Sequence, residues 1–124
     1  MAISVTPSEW QIMELLWEQP HTLMELVYSL AESEGWAKST VTTMVRRMEG
    51  KGLIHYETEG RTKIFRAAVT RDEVVAKETD SLLRRAYNGS IGLLVSAMVQ
   101  KNSLSKEDID ELYEILHKAE GELK

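Results

Sequence analysis

A chain of 124 residues with 43% hydrophobic content can close one compact core, or a small domain plus an assembly element, but not two large domains. Cysteine is absent, which excludes disulfides and thiolate chemistry and fits a reducing cytoplasm, and neither an apolar run of about 18 residues nor a signal-like leader is present, so no membrane partner is expected. The net charge of −5 is unevenly spread: residues 1–37 hold six acids and no Lys or Arg, residues 38–71 eight bases and three acids, and residues 72–124 seven bases and eleven acids.

Thr6-Pro7-Ser8-Glu9 combines a threonine N-cap, a proline at the first helical position and a capping-box glutamate, which predicts a helix from Pro7 to Glu18. Trp10, Met13 and Trp17 form its stripe, widened by Ile12 and Leu16, with Glu9, Gln11, Glu14 and Glu18 expected on the wet side. The stripe keeps helical spacing with no polar group interleaved, so it reads as core rather than as a ligand platform. Gln19-Pro20-His21 breaks the chain, and Thr22 with Glu25 opens a second helix to about Ser33, with Leu23, Leu26, Val27 and Leu30 facing inward. His21, His55 and His117 are far apart and lack paired ligand spacing, so no metal site is assigned.

Ser33-Glu34-Gly35-Trp36 is a short turn into a third helix, the order of a helix-turn-helix. There Val41, Met44, Val45 and Met48 point inward and leave Ser39, Thr42, Thr43 and Arg46 on a face with no large apolar residue. Short hydroxyl side chains let a helix sit close to the floor of a major groove, where threonine contacts bases or a thymine methyl and arginine pairs with guanine. Gly50 and Gly52, flanking Lys51, are expected to stop this helix. Leu53–Thr58 and Thr62–Ala67 are β-rich runs joined by Glu59-Gly60-Arg61, which predicts a hairpin. Helix, glycine stop and hairpin is winged-helix order, and the block around it is basic; such a block gives a local face for phosphate or is an ordinary solvated cluster.

Thr70-Arg71-Asp72-Glu73 is a third capping box, opening a helix to about Tyr87 whose stripe includes Val75, Leu82 and Ala86. Ser90 to Lys101 is apolar nearly all round, through Ile91, Leu93, Leu94, Val95, Ala97, Met98 and Val99, and needs burial on several sides. A last helix begins at Ser105-Lys106-Glu107-Asp108 and carries Ile109, Leu112, Leu116, Ala119 and Leu123 at alternating spacings of three and four, a coiled-coil-like seam. Three helices in about fifty residues are too few to close a core around such a segment. Dimerisation through Leu82, Ile91, Leu94, Val95, Met98, Ile109, Leu112 and Leu116 answers the need; folding back onto the winged helix within one monomer is the alternative. The expected fold is mainly α with a small β-hairpin: a winged helix-turn-helix domain over residues 1–70 and a helical dimerisation domain over 71–124.

SEWQIMELLW, STVTTMVRRMEGKGLI, EGRTKIF, YNGSIGLLVSAMV and LSKEDIDELYEIL, in that order over essentially the whole chain, resemble the penicillinase repressor family. The resemblance implies a homodimeric repressor of palindromic operators, commonly of β-lactamase or methicillin-resistance genes, without a cofactor. By position it implies base-reading and groove-lining roles for Ser39, Thr40, Thr42, Thr43 and Arg46. Arg61 and Lys63 of the wing would reach phosphate or the minor groove, and Lys38, Arg47 and Lys51 complete the DNA-contact set. One branch senses copper through Cys-X-Cys motifs, which a chain without cysteine cannot do. Another is released by cleavage in the dimerisation region, often at Asn-Phe; the corresponding position here is Ala97-Met98, so a regulatory protease would need another preference, or the signal is a different one. A protein-binding winged helix without sequence-specific DNA binding is the competing reading. An enzyme is not expected, since no nucleophile elbow, phosphate-cradling loop or metal motif is present.

Overall fold

Reciprocal threonine caps set where the first helices begin. In the computed structural model, which describes residues 4–123, α1 spans Pro7–Glu18. The Thr6 N–H donates to Glu9 Oε1 at 2.9 Å and the Glu9 N–H to Thr6 Oγ1 at 3.1 Å. Thr22 and Glu25 repeat the exchange and open α2, Leu23–Glu34. α3 is Lys38–Lys51, the strands β1, β2 and β3 are His21–Thr22, Ile54–Glu59 and Thr62–Ala67, and α4, α5 and α6 are Arg71–Tyr87, Ile91–Gln100 and Lys106–Glu122.

The described residues fall into two compact units that divide between Thr79 and Asp80, inside α4. In the first, Ile12, Met13 and Leu16 of α1, Leu26, Val27 and Leu30 of α2, and Val41, Met44, Val45 and Met48 of α3 close one core with Leu53, Ile54, Phe65 and Val74. Trp10 and Trp17 pack edge to face against its margin, 5.4 Å between centroids, and Trp17 Nε1 donates to the Val69 carbonyl at 2.9 Å. That bond ties the exit of the sheet to α1. The first turns of α4 belong to this core through Val74, whereas Val75, expected in the stripe, is exposed.

Three further details depart from the sequence-based expectation. The sheet has three antiparallel strands in the order β1-β3-β2, because His21 and Thr22 pair with Phe65 and Ile64 ahead of α2. α3 runs through Gly50 and stops only at Gly52, whose φ of 81° is the left-handed cap. Glu9, expected on the wet side, is 2% exposed, since it serves both the cap and a cation on α3 described below.

In the second unit, the Ser90 hydroxyl accepts from the Leu93 N–H at 3.1 Å to start α5, and Ser105 and Asp108 form a capping box on α6. No described residue of α5 or α6 is buried.

Candidate nucleic-acid interface

The outward face of α3 is fixed by what its inward face buries. Val41, Met44, Val45 and Met48 anchor the helix in the core, and at the preceding turn Gly35 takes a φ of 71° that ends α2 and admits the half-buried Trp36. The remaining side of the helix exposes Lys38, Ser39, Thr40, Thr43, Arg46 and Arg47. Thr42 is half-buried, and its hydroxyl donates to the Lys38 carbonyl at 2.9 Å, which leaves the oxygen as an acceptor for an incoming donor. The N-cap Ala37 supplies no side-chain oxygen, so the first N–H groups of α3 lack a side-chain cap.

The wing is the β2–β3 hairpin, in register from Ile54 opposite Ala67 to Glu59 opposite Thr62. Gly60 has a φ of 67° and Arg61 is not left-handed, the pattern of a type II′ turn. The turn projects Arg61 into solvent, with Lys63 exposed behind it and its Nζ 4.3 Å from the Tyr56 ring centroid. Wing and helix share one surface: a groove of about 620 Å³ is bounded by Thr42 and Arg46 on one side and Arg61 and Lys63 on the other. Among the described residues Lys38, Arg46, Arg47, Arg61 and Lys63 have no ion-pair partner. Five cations without ion-pair partners beside a row of hydroxyls can meet a polyanion without first breaking an internal ion pair.

Lys51 does not join them. Its ammonium donates to Glu9 Oε1 and Oε2 at 2.8 and 3.0 Å and to the Ser4 carbonyl at 3.3 Å, so a lysine expected among the DNA contacts instead clamps α3 to the start of α1. Periodicity also passes over the start of α2, where Thr22, Leu23 and Met24 border the groove. Nothing in their spacing marks them, because it is the two-residue β1 that brings them there. Among the described residues no cluster of three or more His, Asp or Glu is placed for a metal ion.

In the second unit Leu82, Ile91, Met98, Ile109 and Leu116 are exposed, while Leu94, Val95 and Leu112 are half-buried. Ala97 and Met98 lie in the last turn of α5, where the Ala97 carbonyl accepts from the Lys101 N–H at 3.2 Å and that of Met98 from the Ser103 N–H at 3.0 Å.

The family model described as penicillinase repressor matches residues 5–118. This chain belongs to the penicillinase repressor family. It is 26% identical to the penicillinase repressor of Bacillus licheniformis over 97% of this chain and 94% of that protein. It is 24% identical to the methicillin resistance regulatory protein MecI of Staphylococcus aureus over 92% of this chain and 94% of that one. Among solved structures, a transcriptional regulator of Thermotoga maritima superposes with a TM-score of 0.52 at 26% identity, covering 94% of this chain and 75% of that chain. Six helices and a small antiparallel sheet in winged-helix order are thus the fold of this penicillinase repressor family member. Among its described residues no helix is long and apolar enough to cross a membrane.

Proposed function

We propose that this chain is a homodimeric, sequence-specific repressor that occupies palindromic operators in the cytoplasm and so excludes polymerase, a task needing no catalytic residue and no cofactor. The observation that carries the reading is the common surface of α3 and the wing, where hydroxyls and unpaired cations lie together. Ser39, Thr40, Thr42, Thr43 and Arg46 read bases in the major groove. Arg61 and Lys63 meet phosphate or the adjacent minor groove, and Lys38, Arg47 and the uncapped start of α3 take flanking phosphates. Lys51, held by Glu9, has no part in it. The names of its relatives favour β-lactamase or other antibiotic-resistance operons as the regulated genes.

Homodimerisation is supported by α5 and α6, in which no described residue is fully buried within one chain; each large apolar side chain fully covered by a partner would contribute about 1.5–3 kcal/mol. A regulatory protease acting at Ala97-Met98 would first have to unwind the end of α5, because the Ala97 carbonyl is bonded within the helix and proteases take extended chain.

A gel shift with DNA from upstream of its own gene and its neighbours, followed by footprinting, tests the reading. The expected result is a retained complex that survives nonspecific competitor and protects two inverted half-sites, their centres about 10 base pairs or a multiple apart. Loss of every shift under competitor would favour a protein-binding winged helix instead.

A further inference from the structure

The groove between α3 and the wing has an apolar floor. Leu23 and Met24 of α2 contribute apolar surface to it, with Met24 37% exposed, above the edges of the buried Val45 of α3 and Phe65 of β3. Around it stand three cations, Arg46, Arg61 and Lys63, against a single carboxylate, Glu49. A sugar-phosphate backbone uses the cations and gains little from the floor. An organic anion with an apolar body uses both, and the groove's volume of about 620 Å³ lies within the range of about 300–1,000 Å³ usual for small-molecule sites.

We propose that this groove binds amphiphilic organic anions, specifically aromatic or aliphatic monocarboxylates. The apolar body lies against Leu23 and Met24, above the edges of Val45 and Phe65, and the carboxylate faces Arg46, Arg61 and Lys63, which carry no ion pair of their own among the described residues. Arginine can hold a carboxylate through two parallel N–H donors, and three cations against Glu49 leave the rim positive. Glu49 disfavours a ligand charged at both ends. The regulatory consequence rests on the DNA-binding reading: Arg46 and Arg61 are also the cations assigned to the operator, so ligand and operator exclude one another and the ligand induces.

The test is a backbone-amide NMR titration of the full chain with cinnamate, a rigid apolar carboxylate, beside cinnamyl alcohol and acetate, which remove the charge and the apolar body in turn. Cinnamate is expected to give saturable shifts centred on Val45, Phe65 and Leu23, and each control to bind at least about tenfold more weakly. Arg61→Gln, at an exposed turn where it cannot unfold the core, should weaken cinnamate and leave cinnamyl alcohol unchanged. Met24→Trp, which adds bulk at the exposed edge of the floor, should weaken cinnamate binding. Cinnamate should then raise the protein concentration needed to retain DNA for the wild type, and cinnamyl alcohol and acetate at the same concentration should not. Absence of saturable shifts, shifts centred elsewhere, or equal affinity for acid and alcohol would overturn the site. Binding in the groove with no effect on DNA retention would overturn the exclusion. If no DNA were retained under any condition, the DNA-binding reading would fall while the cinnamate titration still decided the site.

Discussion

Arg46 and Lys51 sit five positions apart on one helix, and their surroundings give them opposite tasks. Arg46 is exposed and unpaired beside Thr42, one turn earlier on the groove wall. Arg46→Ala should therefore cost about 1–3 kcal/mol on the preferred operator and much less on random DNA. Arg61→Ala, at the wing turn, should weaken both DNAs alike and flatten the slope of log affinity against log salt by about 0.9 for each phosphate the variant no longer neutralises. Affinities of both variants on operator and scrambled DNA at several salt concentrations decide it; equal losses on the two DNAs for Arg46→Ala would remove its base-reading role. Lys51 behaves differently because Glu9, 2% exposed, depends on it. Lys51→Met leaves that carboxylate only the Thr6 N–H, and should lower stability by about 1–3 kcal/mol with the operator-to-random affinity ratio unchanged. A loss of operator affinity without a change in thermal midpoint would make Lys51 a DNA contact after all. Counting charge along the sequence could not separate these two residues: a helical face is readable from periodicity, but the identity of a partner 42 residues away is not.

At the scale of elements, the wing and the end of α3 make a controlled comparison of two glycines. Gly60 holds a φ of 67° and Gly50 lies in ordinary helix, and a Cβ added at either meets nothing within 4 Å. Gly60→Ala should thus express only the backbone cost of the left-handed region, about 1–2 kcal/mol, as a lower thermal midpoint, with weaker binding to operator and random DNA together. Gly50→Ala should stabilise by about 0.5–1 kcal/mol, since alanine loses less backbone freedom in a helix. Thermal unfolding of the two variants checks the signs, and an unchanged midpoint for Gly60→Ala would mean the turn relaxes into another conformation. The capped helix starts, the hairpin and its turn are readable in sequence because each rests on contacts within a few residues. The third strand is not, because His21 and Thr22 are too short a run to show alternation and Thr22 already reads as a cap. Gly50 reads as part of a stop since glycine marks helix ends statistically, while the left-handed residue that ends α3 is Gly52.

At the scale of the whole molecule, the C-terminal helices pose a burial problem that one chain does not solve. The sequence pattern makes this visible: Ile91 is 66% and Leu116 62% exposed, as far from water-compatible as the apolar runs imply. What periodicity cannot fix is which valine of α4 enters the core, because Val74 and Val75 are adjacent and only the packing of the first unit selects the former. A two-fold dimer that covers these helices would place two recognition helices on inverted half-sites, so assembly and operator symmetry stand or fall together. Leu116 separates assembly from folding better than Leu112, which is half-buried within its own chain and would disturb the monomer when replaced. Leu116→Asp changes a side chain already mostly in water, so helicity and the thermal midpoint of the first unit should hold. In a dimer the same change buries an unpaired carboxylate in each copy, a cost of several kcal/mol that raises the dissociation constant by orders of magnitude. Sedimentation equilibrium of wild type and variant at micromolar concentration reads this directly. Dimeric wild type and monomeric, still helical Leu116→Asp are expected, the variant losing operator affinity far more than affinity for random DNA because paired half-sites need paired helices. A wild type that sediments as a monomer at that concentration would remove the dimer, and with it the palindromic operator.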